Sequence, residues 1–493
     1  MTIIIIGAGF GGLSAAALLA KDGFDVTVVE KNEQPGGRAS VHKDKGFTFD
    51  MGPSWYLMPD VYENFFAEFD KKPEDVFDDL HRLDPAYRIF FGKEKVIDIS
   101  ADLGKNFELF DQLEENGGEK LRKYLDHAEK NYEAALQDLI YRDYHSIFDI
   151  FSWKMMKAGL KFSIFSNLDS FVRKRFESDE ARKILEYSIG FLGGAPTNTP
   201  AMYYIMNHID LNMGVWFPEG GMGGVVDVIY KLAQSYGVTF KFNQPVTKIE
   251  VENKYAKRVV TEKETLDADI VLVNADYAHS ELELLDKCHR TYSEKYWDKR
   301  VLAPSAMVAY VGVNKKIENL AHHTLFLDED WDKGFDVLFD PKKAAWPETP
   351  SYYVNVPSKS SSGFAPENGE TLFILIPLAP GLEDTDELRE NFFNKIFLDL
   401  EEKLGEPLRD FVVTKRIFCI NDFAERYNAY KGTALGLSHT MRQTAWWRPS
   451  HRSKKVKNLY YTGAYTHPGI GVPMCLISSQ IVCKELKEKY LEE

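Results

Sequence analysis

The sequence predicts an α/β protein with a Rossmann-like dinucleotide-binding domain, a mixed-sheet domain and a largely helical subdomain. Three observations carry that expectation. A β-branched run at residues 2–6 leads straight into a glycine-rich turn. Apolar strands ending in glycine or small polar residues recur at 269–276 and 459–463, and between about 303 and 420 the pattern changes to longer β-rich runs. At 493 residues the chain is too long for one simple core, so two or three structural units are expected.

Residues 2–6 (TIIII) have the continuous apolar character of a strand buried on both faces. Gly7-Ala8-Gly9-Phe10-Gly11-Gly12 follows, with Gly7, Gly9 and Gly12 in the three slots of a GxGxxG. The first glycine permits the tight turn, the second admits a pyrophosphate, and the third lets helix and strand pack closely. A helix expected over about 12–22, carrying Leu13, Ala16, Ala17, Leu18 and Ala20, aims its N-terminal N–H groups at the phosphates. The strand 25–30 (DVTVVE) ends at Glu30, where a carboxylate takes ribose hydroxyls. A GxGxxG alone is weak; with the strand, the helix and the acid in place it reads as a nucleotide site.

Gly36-Gly37-Arg38 identifies the dinucleotide. A second glycine pair beyond the ribose acid brings more backbone to the ligand, and Arg38 supplies charge near phosphate. NAD enzymes do not need this, whereas enzymes that bind FAD extended through the protein commonly have it. Residues 46–53 then fit a strand and turn approaching the flavin end. The fold class is that of a two-dinucleotide-binding-motif flavoprotein.

Further along, residues 116–141 have helical periodicity. In 151–176 an apolar stripe (Trp153, Met156, Leu160, Ile164, Leu168, Phe171) runs beside Lys154, Lys157, Lys161, Arg173, Lys174 and Arg175. Six cations against Asp169 make this segment +5 in a chain of net charge −15. A basic amphipathic helix with Trp and Phe is a membrane-surface signature, and Trp153, Lys154, Lys157, Lys161 and Phe171 are its candidate contacts. A helix packed on the protein with a solvated charged face fits the same pattern. After Gly220–Gly224 a helix ends near Gly237, and a strand pair follows at 238–242 and 246–251. Val246, opening the second of these, is assigned to the cofactor site.

Residues 305–313, 351–356, 371–378 and 412–418 are further expected strands of a substrate domain. The strand 459–462 ends at Gly463, and Pro468, Gly469 and Gly471 shape a loop before a helix that starts near Val472, with Pro473 tolerated in its first turn. The N-terminus of that helix, at Gly471 and Val472, would favour negative charge on a reduced flavin.

Composition narrows the partners. The acidic balance argues against nucleic acid. Four cysteines without a CxxC read as reduced thiols, and adjacent His322 and His323 are poorly placed to share a metal; no metal site is expected. With no signal-like N-terminus and no run of about 18 apolar residues, cytoplasmic residence is expected.

The GxGxxG–Glu30–Gly36-Gly37-Arg38 arrangement, the 51–56 and 427–432 stretches, and the C-terminal 462–473 motif together resemble the bacterial phytoene desaturase family of carotenoid desaturases. The resemblance covers the whole chain, and its specific part is the C-terminal motif. It implies an amine-oxidase-like fold, FAD, and extension of conjugation by loss of a hydride from an allylic carbon and of a proton from its neighbour. Val472-Pro473-Met474-Cys475 departs from the Val-Pro-Pro expected of phytoene desaturases and looks more like the branch of 3,4-desaturases acting on hydroxylated carotenoids. Desaturation of phytoene to lycopene remains the alternative, as does, from another class, a non-catalytic isoprenoid carrier on the same fold.

A carotenoid substrate implies peripheral attachment to the inner face of the cell membrane, and reoxidation requires quinone or oxygen. His467, beside the flavin loop, is a candidate proton acceptor, weighed against a role in shaping the loop by a local hydrogen bond. The expected layout is a discontinuous FAD domain at 1–90, 214–300 and 450–493, a helical membrane-contacting subdomain at 91–213, and a substrate domain at 301–449.

Overall fold

The computed structural model describes residues 1–93, 95–142, 166–327, 331–340, 342–440 and 442–492. The apolar run Thr2–Ile6 is the middle strand of a five-stranded parallel sheet. Its order is Leu459–Tyr461, Ile270–Val273, Thr2–Ile6, Asp25–Val29, Thr239–Lys241. Ile3–Ile6 pair with 270–273 on one side and with 26–29 on the other, so both edges of the central strand are paired. The helix Phe10–Lys21, almost entirely buried, packs on the C-terminal helix Val472–Leu491. Ser14 and Ser479 share a hydrogen bond at 2.8 Å where the two meet.

A second sheet of seven strands runs in the order Val412–Phe418, Ser305–Val313, Glu370–Leu378, Tyr352–Asn355, His323–Leu327, Tyr87–Phe91, Lys95–Ile99. It is antiparallel except where His323–Leu327 runs parallel to Tyr87–Phe91. The two sheets gather strands from distant parts of the chain, and the space between them is where the site lies.

Three expectations are corrected. The boundary placed at residue 90 falls inside a strand: Tyr87–Phe91 and Lys95–Ile99 belong to the seven-stranded sheet, because Thr324–Leu327 take 88–91 as partners. The strands at 239–241 and 246–252 do not pair with each other; the first extends the five-stranded sheet and the second forms a hairpin with Tyr255–Thr261. The stripe of 151–176 does not continue as one helix into its C-terminal part, since Asn167 caps a new short helix, Leu168–Arg173, by accepting the Ser170 N–H.

That last change removes Phe171 from the membrane-contact set. Its ring is 6% exposed, stacks on Tyr204 at 4.7 Å, and lies beneath the Arg175 guanidinium at 3.6 Å. Burial in the apolar core that includes the helix Gly117–Ala135 stabilises this ring more than solvent exposure would. Trp153, Lys154, Lys157 and Lys161 lie outside the described residues. Among the described residues, no helix is long and apolar enough to cross a membrane.

Candidate functional site

A cavity of about 1260 Å³ runs from the glycine-rich turn into the region between the two sheets. Small-molecule pockets are commonly ~300–1,000 Å³, so this one has room for a dinucleotide and a second ligand. Gly7, Gly9, Glu30, Gly36, Gly37, Arg38, Val246, Gly471, Val472 and His467 all line it.

At its first end the turn is built backbone on backbone. Gly36 N–H donates to the Ala8 carbonyl at 2.8 Å, and Gly36 and Gly37 have φ of +106° and +56°. A Cβ on Gly37 would stand 3.2 Å from the Gly9 Cα. The second glycine pair therefore lies directly against the first motif. Glu30 Oε2 accepts the Ala8 N–H at 2.7 Å, and its Oε1 accepts the Asn32 N–H at 2.8 Å. Burial raises the Glu30 carboxyl above its ordinary range, while these hydrogen bonds oppose the shift.

Gly12 and Gly463 do their work in packing. A Cβ on Gly12 would come within 2.0 Å of the Gly7 carbonyl oxygen, which is the close helix–strand approach expected of the third glycine. Gly463, expected at the cofactor, lies against Asn274 and Gly11: its own Cβ would meet Asn274 Oδ1 at 2.8 Å, and one on Gly11 would meet its Cα at 3.3 Å. Asn274 is the residue these glycines surround, and Gly9 and Gly12 would also crowd it with a Cβ. The sequence signal for it is a buried strand ending in small polar residues; nothing in the pattern shows that four glycines converge on one side chain.

Arg38 tests whether FAD fits. Its Nε and Nη2 are buried without a hydrogen-bond partner, and the guanidinium sits 5.7 Å from the centre of the Tyr427 ring. A buried cation left in this state is costly unless an anion completes it. Together with the glycine turn, the N-terminus of Phe10–Lys21 and the Glu30 carboxylate, it forms a site shaped for a pyrophosphate and a ribose. FAD fits these residues.

At the other end, Gly471 (φ +123°) precedes the 20-residue helix Val472–Leu491, whose first turn lines the cavity with Pro473 at its second position. The preceding loop is held by two residues that sequence patterns do not indicate. Arg448, buried, donates to the carbonyls of Thr466, Gln443, Leu437 and Ala464, and burial lowers its pKa to about 10. His439 Nε2 accepts the Ile470 N–H at 3.0 Å. Both lie in a stretch without periodicity.

His467 donates from Nε2 to the carbonyl of Ile140 at 2.9 Å, close to that of Leu139 at 3.1 Å. Burial lowers its pKa to about 3. The bond ties the loop to the helical turn Leu136–Ile140, more than 300 residues away, and not by the local hydrogen bond expected of it.

Beyond the loop the wall is largely hydrocarbon: Leu139, Ile140, Ile205, Ile209, Leu325, Leu375 and Pro377 face the space with Phe335, Leu338 and Phe339 of the helix Trp331–Phe339. Trp447, 48% exposed, stands on the same wall at the surface.

A Rossmann-type cradle with a second glycine pair, joined to a long apolar cavity, defines a flavin-dependent oxidoreductase. The chain belongs to the flavin containing amine oxidoreductase family, which it matches over residues 10–487. It is 46% identical over 487 residues to the carotenoid 3,4-desaturase of Haloarcula japonica, covering 99% of this chain and 98% of that one. It is 32% identical to the zeta-carotene-forming phytoene desaturase of Myxococcus xanthus, over 98% and 93% of the two chains. Among solved structures, an oxidoreductase from Methanosarcina mazei superposes with a TM-score of 0.65 at 18% identity, covering 98% of this chain and all of that one, which shows the shared fold. The protein is thus an FAD-dependent oxidoreductase with an amine-oxidase-like fold.

Proposed function

We infer that the protein is a carotenoid desaturase, and that its reaction is 3,4-desaturation of a hydroxylated carotenoid. The observation that carries this reading is the continuity of the FAD cradle with a long hydrocarbon-walled cavity, in a chain 46% identical to a carotenoid 3,4-desaturase. The chemistry FAD supplies when bound is two-electron oxidation, in which a hydride leaves an allylic carbon and a proton leaves the neighbouring carbon, so that a C=C bond forms.

The chain's own residues bind, align and keep the site dry. Gly7, Gly9, Gly36, Gly37 and Arg38 take the pyrophosphate, and Glu30 takes the ribose with Val246 nearby. Gly471 and Val472 present the helix N-terminus to the flavin ring, with Arg448 and His439 holding the loop in register. Leu139, Ile205, Leu325 and Leu375 align a polyene by shape, because a hydrocarbon offers no polar handle. The apolar lining of the cavity disfavours water beside the reacting carbons.

The same reading makes the membrane surface the source of substrate, with peripheral contact on the cytoplasmic face and reoxidation by quinone or oxygen. An apolar cavity and an exposed Trp447 at its wall support it. The test is expression in cells that accumulate defined acyclic carotenoids, followed by separation and absorption spectra of the pigments. Longer-wavelength products from a hydroxylated precursor support the proposal. Conversion of phytoene instead moves the assignment to phytoene desaturation. An unchanged pigment profile with every precursor contradicts both.

A further inference from the structure

In the apolar part of the cavity, Tyr353 projects from the strand Tyr352–Asn355 between its register partners Leu325 and Leu375. Ser54, from the turn after Phe47–Asp50, also lines the wall and lies with its Oγ 2.8 Å from the Tyr353 hydroxyl. That hydroxyl lies 2.5 Å from Nδ1 of His323, which is fully buried and stacked on Trp55 at 4.1 Å. Three chain segments thus place a file of polar atoms against a hydrocarbon wall.

The direction of the protons in this file follows from its far end. Asn355 Nδ2 donates to the His322 carbonyl at 3.1 Å, which fixes the orientation of the amide. The same nitrogen, a donor, faces His323 Nδ1 at 3.4 Å, which favours the tautomer with Nδ1 as acceptor and the ring proton on Nε2, a buried atom without a hydrogen-bond partner. Burial, reinforced by the neighbouring His322, keeps the His323 ring neutral. In that tautomer the Tyr353 O–H donates to His323 Nδ1, and the Ser54 O–H donates to the Tyr353 oxygen. With its proton committed, Ser54 offers the cavity acceptor lone pairs.

We propose that Ser54 recognises the hydroxyl group of the substrate by accepting its hydrogen bond, and that Tyr353 and His323 are positioning residues that fix Ser54 as an acceptor. This rests on the desaturase reading and adds a specificity rule to it. An acyclic carotenoid alcohol is distinguished from its methyl ether and from its hydrocarbon parent, because neither of those can donate a proton to Ser54.

The experiment titrates the FAD-loaded protein in detergent with three ligands: a carotenoid bearing a terminal alcohol, its methyl ether, and its hydrocarbon parent. Quenching of tryptophan fluorescence reports binding. The alcohol binds about tenfold more tightly than either analogue, the scale of one buried hydrogen bond. Ser54→Ala abolishes that preference and leaves affinity for the hydrocarbon within about twofold of the wild type. Tyr353→Phe releases the Ser54 proton, so the methyl ether gains affinity and approaches the alcohol, a change that a merely structural role would not produce. Equal affinity of the wild type for alcohol and ether, or a preference that survives Ser54→Ala, overturns the proposal and leaves the desaturase reading standing. Failure of all three ligands to bind overturns the desaturase reading and the proposal together.

Discussion

The carboxylate of Glu30 and the backbone N–H of Ala8 are joined by a 2.7 Å hydrogen bond that ties the end of the second strand to the middle of the glycine-rich turn. The same carboxylate holds Asn32 through its other oxygen. One side chain therefore fixes the turn and offers the remaining lone pairs to a ribose. Glu30→Ala loses both functions. Since a hydrogen bond to a charged group contributes ~1.5–3 kcal/mol, FAD affinity should fall by about ten- to a hundredfold. Titration of the apoprotein with FAD checks this, and an unchanged dissociation constant contradicts the assignment.

Arg38 separates binding from stability. Its Nε and Nη2 are buried without partners, so an anion is what makes the guanidinium favourable there. Arg38→Met keeps the apolar stem and removes the charge. The expected outcome is FAD affinity lower by about tenfold or more, with an apoprotein melting temperature equal to or above that of the wild type. A variant whose apoprotein melts well below the wild type would show that Arg38 has a structural partner instead.

Much of this site is legible in the amino-acid sequence. GxGxxG, Glu30 and Gly36-Gly37-Arg38 sit at spacings set by covalent geometry and by the size of a pyrophosphate, so sequence alone places them. The strands 305–313 and 412–418 are legible because their apolar, β-branched patterns have a short period. Asn274, His439 and the Ser54–Tyr353–His323 file are not, because each gains its role from partners dozens to hundreds of residues away, and Arg448 is not, because its carbonyl partners 5 to 18 residues off lie in a stretch without periodicity. The basic stripe of 151–176 misleads at Phe171 for the same reason: helical spacing shows that a face is apolar, and Tyr204 decides that the face is buried.

Stability should depend on pH through buried groups of opposite sign. Burial lowers His322 and His467 to about 3 and holds His323 and His439 well below 6.5. The unfolded chain then binds more protons at these sites below about pH 6.5, so their contribution to stability is lost as pH falls. Asp50 and Asp210 act in reverse: burial raises both to about 7, and their contribution is lost as pH rises from the ordinary carboxylate range through that value. His42, His208 and His279 are lowered with these four histidines, and Glu30, Asp60, Glu281 and Glu370 are raised with the two aspartates. Ion-paired acids such as Glu33 and Asp384 are lowered and side with the histidines, so the melting temperature should be lower at pH 5 than at pH 7. Asp50→Asn should steepen that fall, because it removes one of the raised carboxyls that favour the folded state at low pH. Asn keeps one acceptor for the Met222 and Gly223 N–H groups that Asp50 now receives. A melting temperature that rises on acidification contradicts the balance.

His467→Gln tests anchoring against proton transfer. Glutamine can still donate to the Ile140 carbonyl from a similar position. Turnover should stay within about tenfold of the wild type with an unchanged pH profile, whereas loss of a general base costs about 10²–10⁴-fold. A loss in that range, with the acidic limb of the profile removed, would make His467 the proton acceptor.

The most direct test of the account is anaerobic mixing of the FAD-loaded protein with a hydroxylated acyclic carotenoid, following flavin and polyene absorption together. Oxidation of the carotenoid in this cavity predicts that the oxidised-flavin band bleaches in step with a longer-wavelength polyene, one C=C bond for each FAD reduced. Bound carotenoid with no change in either band over many minutes would contradict the account and leave a protein that holds an isoprenoid without oxidising it.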